Sequence, residues 1–289
     1  MKYVLAVCWV LAAAAAVGAR ELHIGLLPEQ NVFKQLQRYE PLGQYLERRT
    51  GVAIRFRILP RYGNILESLA DEAMDGAFWG SFTGALAIRR AGMEPLARPV
   101  DADGSSSYRG YLFVRRDGGL ASAADLKGRT MAFVDRATSA GYLFPVAYLR
   151  KHGVADPERH FGEAFFAGSH DAAIAAVLDR RADAGCAKNT VYDAMAAREP
   201  RVARELAVLA VSSDFPSNAL GLRRELPAEV KGALKAALLA MASDPKGRAV
   251  LKAFGAREFV ETTEADYRPV FELAEVAGID LDTYQYLND

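Results

Sequence analysis

The chain alternates between short apolar runs with the two-residue period of strands and longer runs with apolar residues three and four apart. That alternation restricts it to an α/β architecture. From Glu21, LHIGLLP reads as a strand, and a helix is expected from about Asn31 to Thr50, with Tyr39, Leu42, Tyr45 and Leu46 at helical spacing. VAIRFRIL alternates as a half-buried strand does, placing Val52, Ile54, Phe56 and Ile58 on one face. Further strands are predicted at GAFWG, YRGYLFVRR, TMAFVD, EAFFAG, ADAGCA, LAVLAVS and NALGLRR. Helices are predicted at Tyr62 to Met74, at Phe82 to Ala91, briefly at AADLKG, from about Ser139, and at DAAIAAVLDRR and TVYDAMAARE. The tail from Pro227 reads as mostly helical, and the sheets are expected to be largely parallel.

Four strand-to-helix junctions share a chemistry. VAIRFRIL leads into PRYGNILESL, GAFW into GSFTGALAI, TMAFVDRA into TSAGYLFP, and EAFFA into GSHDAAIAAV. Each combines glycine with Ser, Thr, Asn or His where a helix begins. A cap explains each one alone. In parallel α/β sheets, however, such junctions lie at the carboxyl ends of the strands, where ligands bind. Helix starts present unpaired N–H groups and partial positive charge, so four of them aimed at one crevice point to a small-anion site.

Composition narrows the field. The 289 residues are 51% hydrophobic, with 36 basic and 36 acidic side chains. That is ample for one or two domains, and the balanced charge argues against a nucleic-acid partner. The opening MKYVLAVCWVLAAAAAVGA is read as a signal peptide, residues 1–19, with cleavage after Ala19. Removing Cys8 leaves Cys186 alone, read as a buried small residue. His23, His152 and His160 show no partner spacing, so no metal or cofactor is expected.

The blocks RYEPLGQYLERRTG, RYGNILESL, DGAFWGSFTGALA, SSYRGYLFVRRD, DLKGRTMAFVDRATSAGYLFP and FAGSHDAAI occur in this order. Together they resemble the phosphate/phosphite/phosphonate substrate-binding proteins of ABC importers, the PhnD-like group, across about 21–280. The resemblance implies a type II periplasmic binding fold: two α/β lobes joined by two crossing strands that close on the ligand. By position, 20–112 and 213–289 would form lobe 1 and 113–212 lobe 2. It also implies a periplasmic, monomeric binding component without enzymatic activity, partnered by a membrane permease and its ATPase.

Site residues carry over where positions match. Thr138, Ser139, Ala140 and Gly141 align with the oxyanion cradle, which in the family commonly reads S-T-S-G, so one hydroxyl is lost here. Tyr62 and Tyr108 match the cleft tyrosines, and His170 the cleft histidine. Family members that bind 2-aminoethylphosphonate carry acidic residues that pair with the ammonium; those ligand-binding positions match Thr190 and Asn218. Neither supplies a negative charge, so the expected ligand is phosphite, phosphate or a short alkylphosphonate. Trp79 is read as core or cleft wall, Ser81 as cleft wall or helix cap, and Thr83 as a helix cap. Arg61, Arg136 and Lys188 are read as solvated charges that add long-range attraction. A phosphate-ester hydrolase, with Ser139 and His170 as a conceivable pair, lacks any recognisable catalytic motif. A sensor subunit of the same fold, signalling to a membrane kinase, is the other alternative.

Overall fold

A computed structural model describes residues 20–29, 32–71 and 73–287; the predicted signal peptide lies outside them. Two main sheets organise the chain. The first has the order β13-β4-β12-β3-β1-β2, with β1 at Glu21–Leu26, β2 at Ala53–Ile58, β3 at Gly76–Trp79 and β4 at Met93–Asp101. Its remaining strands come from the last third of the chain, β12 at Ala219–Arg223 and β13 at Ala256–Glu261. The second sheet has the order β10-β6-β9-β7-β8, with β6 at Gly110–Arg115, β7 at Thr130–Phe133, β8 at Glu163–Phe166, β9 at Ala184–Lys188 and β10 at Leu206–Val211. Between them lies a short antiparallel ribbon, β5 at Ser107–Tyr108 with β11 at Phe215–Pro216.

Amphipathic pattern explains the first layer. The predicted face of the helix Val32–Thr50 places Tyr39, Leu42, Tyr45 and Leu46 against Leu22, Ile24, Leu26 and Phe78. Tyr39 meets the rings of Phe78 and Phe254 edge-on at 4.9 and 5.0 Å. Each such buried side chain contributes about 1.5–3 kcal/mol by burial. In the second half Phe113, Met131, Phe133, Ile174, Val177 and Cys186 form the corresponding core.

Two expectations need correction. The sheets are mixed rather than largely parallel: β1 pairs parallel with β2 and β3, and β7 with β8 and β9, but β12, β4, β13, β6 and β10 add antiparallel pairs. The cause is that the chain leaves the first sheet, builds the second, and re-enters the first from the other direction. Strands β4 and β13 were also not expected, because β4 contains Pro95 and Pro99 and β13 lies in the helical tail. Proline survives there because β4 pairs with β12 through residues 93–97 and with β13 through 97–101, leaving each half with one recorded partner. The expected boundary at 112/113 lies within β6, and the chain passes between the two sheets in the stretches 102–109 and 212–218.

Candidate functional site

The four junctions divide two and two between the sheets, and they meet. A small cavity is lined by Glu29, Tyr62, Gly80, Ser81 and Phe82 from the first half and by Ala137, Thr138, Ser139, Ala140, His170 and Lys188 from the second. Tyr108, on the connecting ribbon, completes the wall.

The cradle is a local structure. After β7, Asp135 Oδ1 accepts from the Ala137 N–H at 2.8 Å, and Asp135 O accepts from both the Thr138 N–H at 3.1 Å and the Thr138 hydroxyl at 2.6 Å. The chain then enters a π-helical turn, Ser139–Leu143, that continues as the α-helix Phe144–Lys151. The wider turn shifts pairing by one residue, so Leu143 N–H bonds Thr138 O and Phe144 N–H bonds Ser139 O. The N–H groups of Ser139, Ala140 and Gly141 head this helix and have no intrahelical acceptor. Gly141 is required by close approach: a methyl group there would lie 2.6 Å from Thr138 Oγ1 and nearer still to Val134 Cβ.

Hydroxyls bridge the two halves. Ser81 Oγ lies 2.6 Å from Ser139 Oγ and 2.6 Å from the Tyr108 hydroxyl. One buried serine thus joins both sheets and the ribbon, and the cleft between them is closed. Tyr62 is 3% exposed, and its hydroxyl has no hydrogen-bond partner among the described residues. Burial, with Glu29 and Asp135 adding to it, raises its pKa well above the ordinary range, so it remains a phenol able to donate.

His170 opens the helix His170–Leu178, which Ser169 caps by accepting from the Ala172 N–H. Its Nδ1 accepts from the Lys188 backbone N–H at 3.2 Å, which leaves the proton on Nε2. Burial, reinforced by the Lys188 charge and opposed by Glu29, lowers its pKa from 6.5 to about 3. The unfolded state therefore binds the proton more readily. Stability from this group is complete above pH 6.5 and is lost progressively as the pH falls toward about 3. An NMR titration is expected to show this imidazole neutral throughout the range where an unperturbed imidazole would gain its proton.

Lys188 and Glu29 supply the formal charges. Their side chains, 10% and 19% exposed, form an ion pair between the ends of the two halves. Lys188 Nζ also donates to Asn218 Oδ1 at 2.8 Å and lies 4.5 Å from the Tyr108 ring centroid. Burial alone would raise the Glu29 carboxyl and lower the Lys188 ammonium. Each partner outweighs that effect for the other, so Glu29 is held below its ordinary range and Lys188 above it.

Of the residues named from sequence, Tyr62, Tyr108, Thr138, Ser139, Ala140 and His170 line the cavity. Gly141 is buried directly behind it. Thr138 does not offer its hydroxyl hydrogen, which is used on Asp135 O. Thr190 is exposed on the helix Asn189–Arg198 and does not line the cavity; Asn218 holds Lys188 instead of facing the ligand space. Trp79 is fully buried and donates Nε1–H to Gly221 O at 3.0 Å, which makes it core. Lys188 is corrected from a solvated charge to a buried wall residue. Glu29 has no sequence signal, since one glutamate after a strand carries no pattern; of the two readings of Ser81, cleft wall and helix cap, the structure places it in the cavity wall.

A family model for the periplasmic phosphonate substrate-binding proteins of ABC transporters matches residues 24–267. A phosphate-import protein, PhnD, of Mycolicibacterium smegmatis is 30% identical over 178 residues, 59% of this chain; the match spans 56% of that relative, a little over half its length. The phosphonates-binding periplasmic protein of Escherichia coli is 24% identical over 268 residues, covering 90% of this chain and 78% of the relative. Among solved structures, a binding protein component of an ABC phosphonate transporter from Pseudomonas aeruginosa superposes with a TM-score of 0.80 at 23% identity, over 90% of this chain and 87% of the other. That likeness establishes the two-lobed type II periplasmic binding fold.

Proposed function

This chain belongs to the periplasmic phosphonate substrate-binding proteins of ABC transporters, and from that premise we propose that its cleft traps a small tetrahedral phosphorus oxyanion lacking an amino group. The observation that carries this reading is the Tyr62 hydroxyl. It is buried, unpartnered among the described residues, and borders the cavity that Thr138, Ser139 and Ala140 also line. A buried polar hydrogen without an acceptor is costly, and a ligand oxygen would satisfy it. Tyr62, the cradle amides and His170 Nε2–H then donate to the oxygens, while Tyr108 and Ser81 tie the halves together around them. Ligand contacts from both lobes favour the closed state. The division is proposed as one lobe carrying the first sheet and the other the second, hinged where the sheets part. In the periplasm, after loss of residues 1–19, the loaded form would dock on a permease whose ATPase drives import.

The charges favour a ligand without an ammonium. Glu29 is already neutralised by Lys188, and the Lys188 ammonium in the wall repels a second cation. Catalysis has no such support: Ser139 Oγ bonds Ser81, and His170 Nδ1 is engaged by a backbone amide, so the two do not form a nucleophile–base pair.

A thermal-shift panel of phosphate, phosphite, methylphosphonate and 2-aminoethylphosphonate tests the proposal. A ligand at a hundredfold excess over its Kd adds about 2.7 kcal/mol, which raises Tm by roughly 5–10 °C for a chain of this size. No shift with any of the four, or the largest shift with the aminophosphonate, would overturn it.

A further inference from the structure

Most polar groups on the cavity are suited to donate: the cradle amides, the Tyr62 phenol, His170 Nε2–H and the Lys188 ammonium. Two are acceptors. Thr138 Oγ1 has its hydrogen engaged by Asp135 O, and Glu29 is a carboxylate. Lys188 engages Glu29 through Oε1, and an ionised carboxyl has about four lone-pair sites. A fully deprotonated PO₃ group presents only lone pairs and negative charge to such a wall. A P–OH presents a proton.

On the reading that the cleft holds a phosphorus oxyanion, we infer that Glu29 selects a ligand that carries a P–OH, so that hydrogen phosphate is favoured over phosphite and phosphonate dianions. Hydrogen phosphate keeps one P–OH after its second ionisation. Phosphite and methylphosphonate lose theirs at that step, and a site built to bond a hydroxyl rejects analogues lacking it.

The charges of Glu29, Lys188 and His170 stay constant while the ligands titrate. Facing Glu29 are Lys188 at the end of β9, His170 at its helix start, Arg38 on the helix Val32–Thr50, Tyr62 after β2, and Asp101 at the end of β4. Glu29 is held low, Lys188 high and His170 neutral, so above about pH 6 these three do not change charge. Burial raises the Asp101 carboxyl above its ordinary value.

Calorimetry of the mature wild-type protein, from about pH 6 to about pH 9, is the first measurement and needs no variant. Methylphosphonate and phosphite affinities are expected to fall about tenfold per pH unit above their second ionisation, with phosphate close to level. Near pH 9 the preference for phosphate should be roughly hundredfold or more. The variant Glu29→Gln should collapse that preference by at least about tenfold, with circular dichroism confirming that it folds. Level methylphosphonate affinity across the range would overturn the inference, and so would an unchanged preference in folded Glu29→Gln. In either case the oxyanion-binding reading would stand. Binding of no phosphorus oxyanion at any pH would remove that reading and this inference with it.

Discussion

Replacing Lys188 with methionine is expected to weaken oxyanion binding by about 10²-fold or more. The substitution keeps most of the stem's volume and removes the ammonium. It leaves the Glu29 carboxylate, 19% exposed, unpaired in the wall of the cavity, where it is expected to repel an oxyanion. Truncating one member of a buried, hydrogen-bonded charge pair costs about 2–5 kcal/mol, most of it from the partner left behind. The double variant Lys188→Met with Glu29→Gln should therefore recover a large part of the loss, because no isolated charge remains. Isothermal titration of the two variants with the tightest wild-type ligand makes the comparison. Wild-type affinity in Lys188→Met would show that the ion pair lies outside the binding energetics.

Gly141→Ala is expected to destabilise the fold by about 1–3 kcal/mol, as overpacking does, and to reduce affinity by roughly 10–100-fold through loss of a preorganised cradle. The added methyl group would overlap Thr138 Oγ1 and Val134 Cβ, both on the turn that aims the Ser139–Gly141 amides. Relief requires the turn to open, and Val134 N–H and Cys186 Sγ, which both donate to Gly141 O, would be dragged along. Gly232→Ala is the control. Gly232 lies within the helix Ala228–Leu239 with nothing within 4 Å of an added methyl, so helix propensity alone should stabilise it by about 0.5–1 kcal/mol. Urea unfolding and calorimetry of both variants check the contrast. Equal stability and affinity for Gly141→Ala and wild type would mean that the turn accommodates the methyl without moving.

Local signals in the chain were legible wherever one residue type forces one conformation. Helix faces such as Tyr39, Leu42, Tyr45 and Leu46 could be read because a buried stripe must repeat with the helical period. The Thr138–Gly141 junction could be read as a helix start because small hydroxyl residues and glycine at a strand end favour a cap. Strand β4 could not, since Pro95 and Pro99 argue against a sheet position unless one knows which side of each half is paired. Tyr62 and His170 came forward through family resemblance, and the orphaned hydroxyl of one and the fixed tautomer of the other emerged only in three dimensions.

What the sequence determined by itself is the α/β alternation, the helix start at Ser139 and the family. Those follow from periodicity and capping, which act within a few residues. Tertiary structure decided that two junctions from each sheet face one another, that Ser81 reaches Ser139, and that Lys188 meets a glutamate 159 positions away. The reason is physical: a charge or hydroxyl acquires its role from what replaces water around it, and burial is a property of the assembled chain.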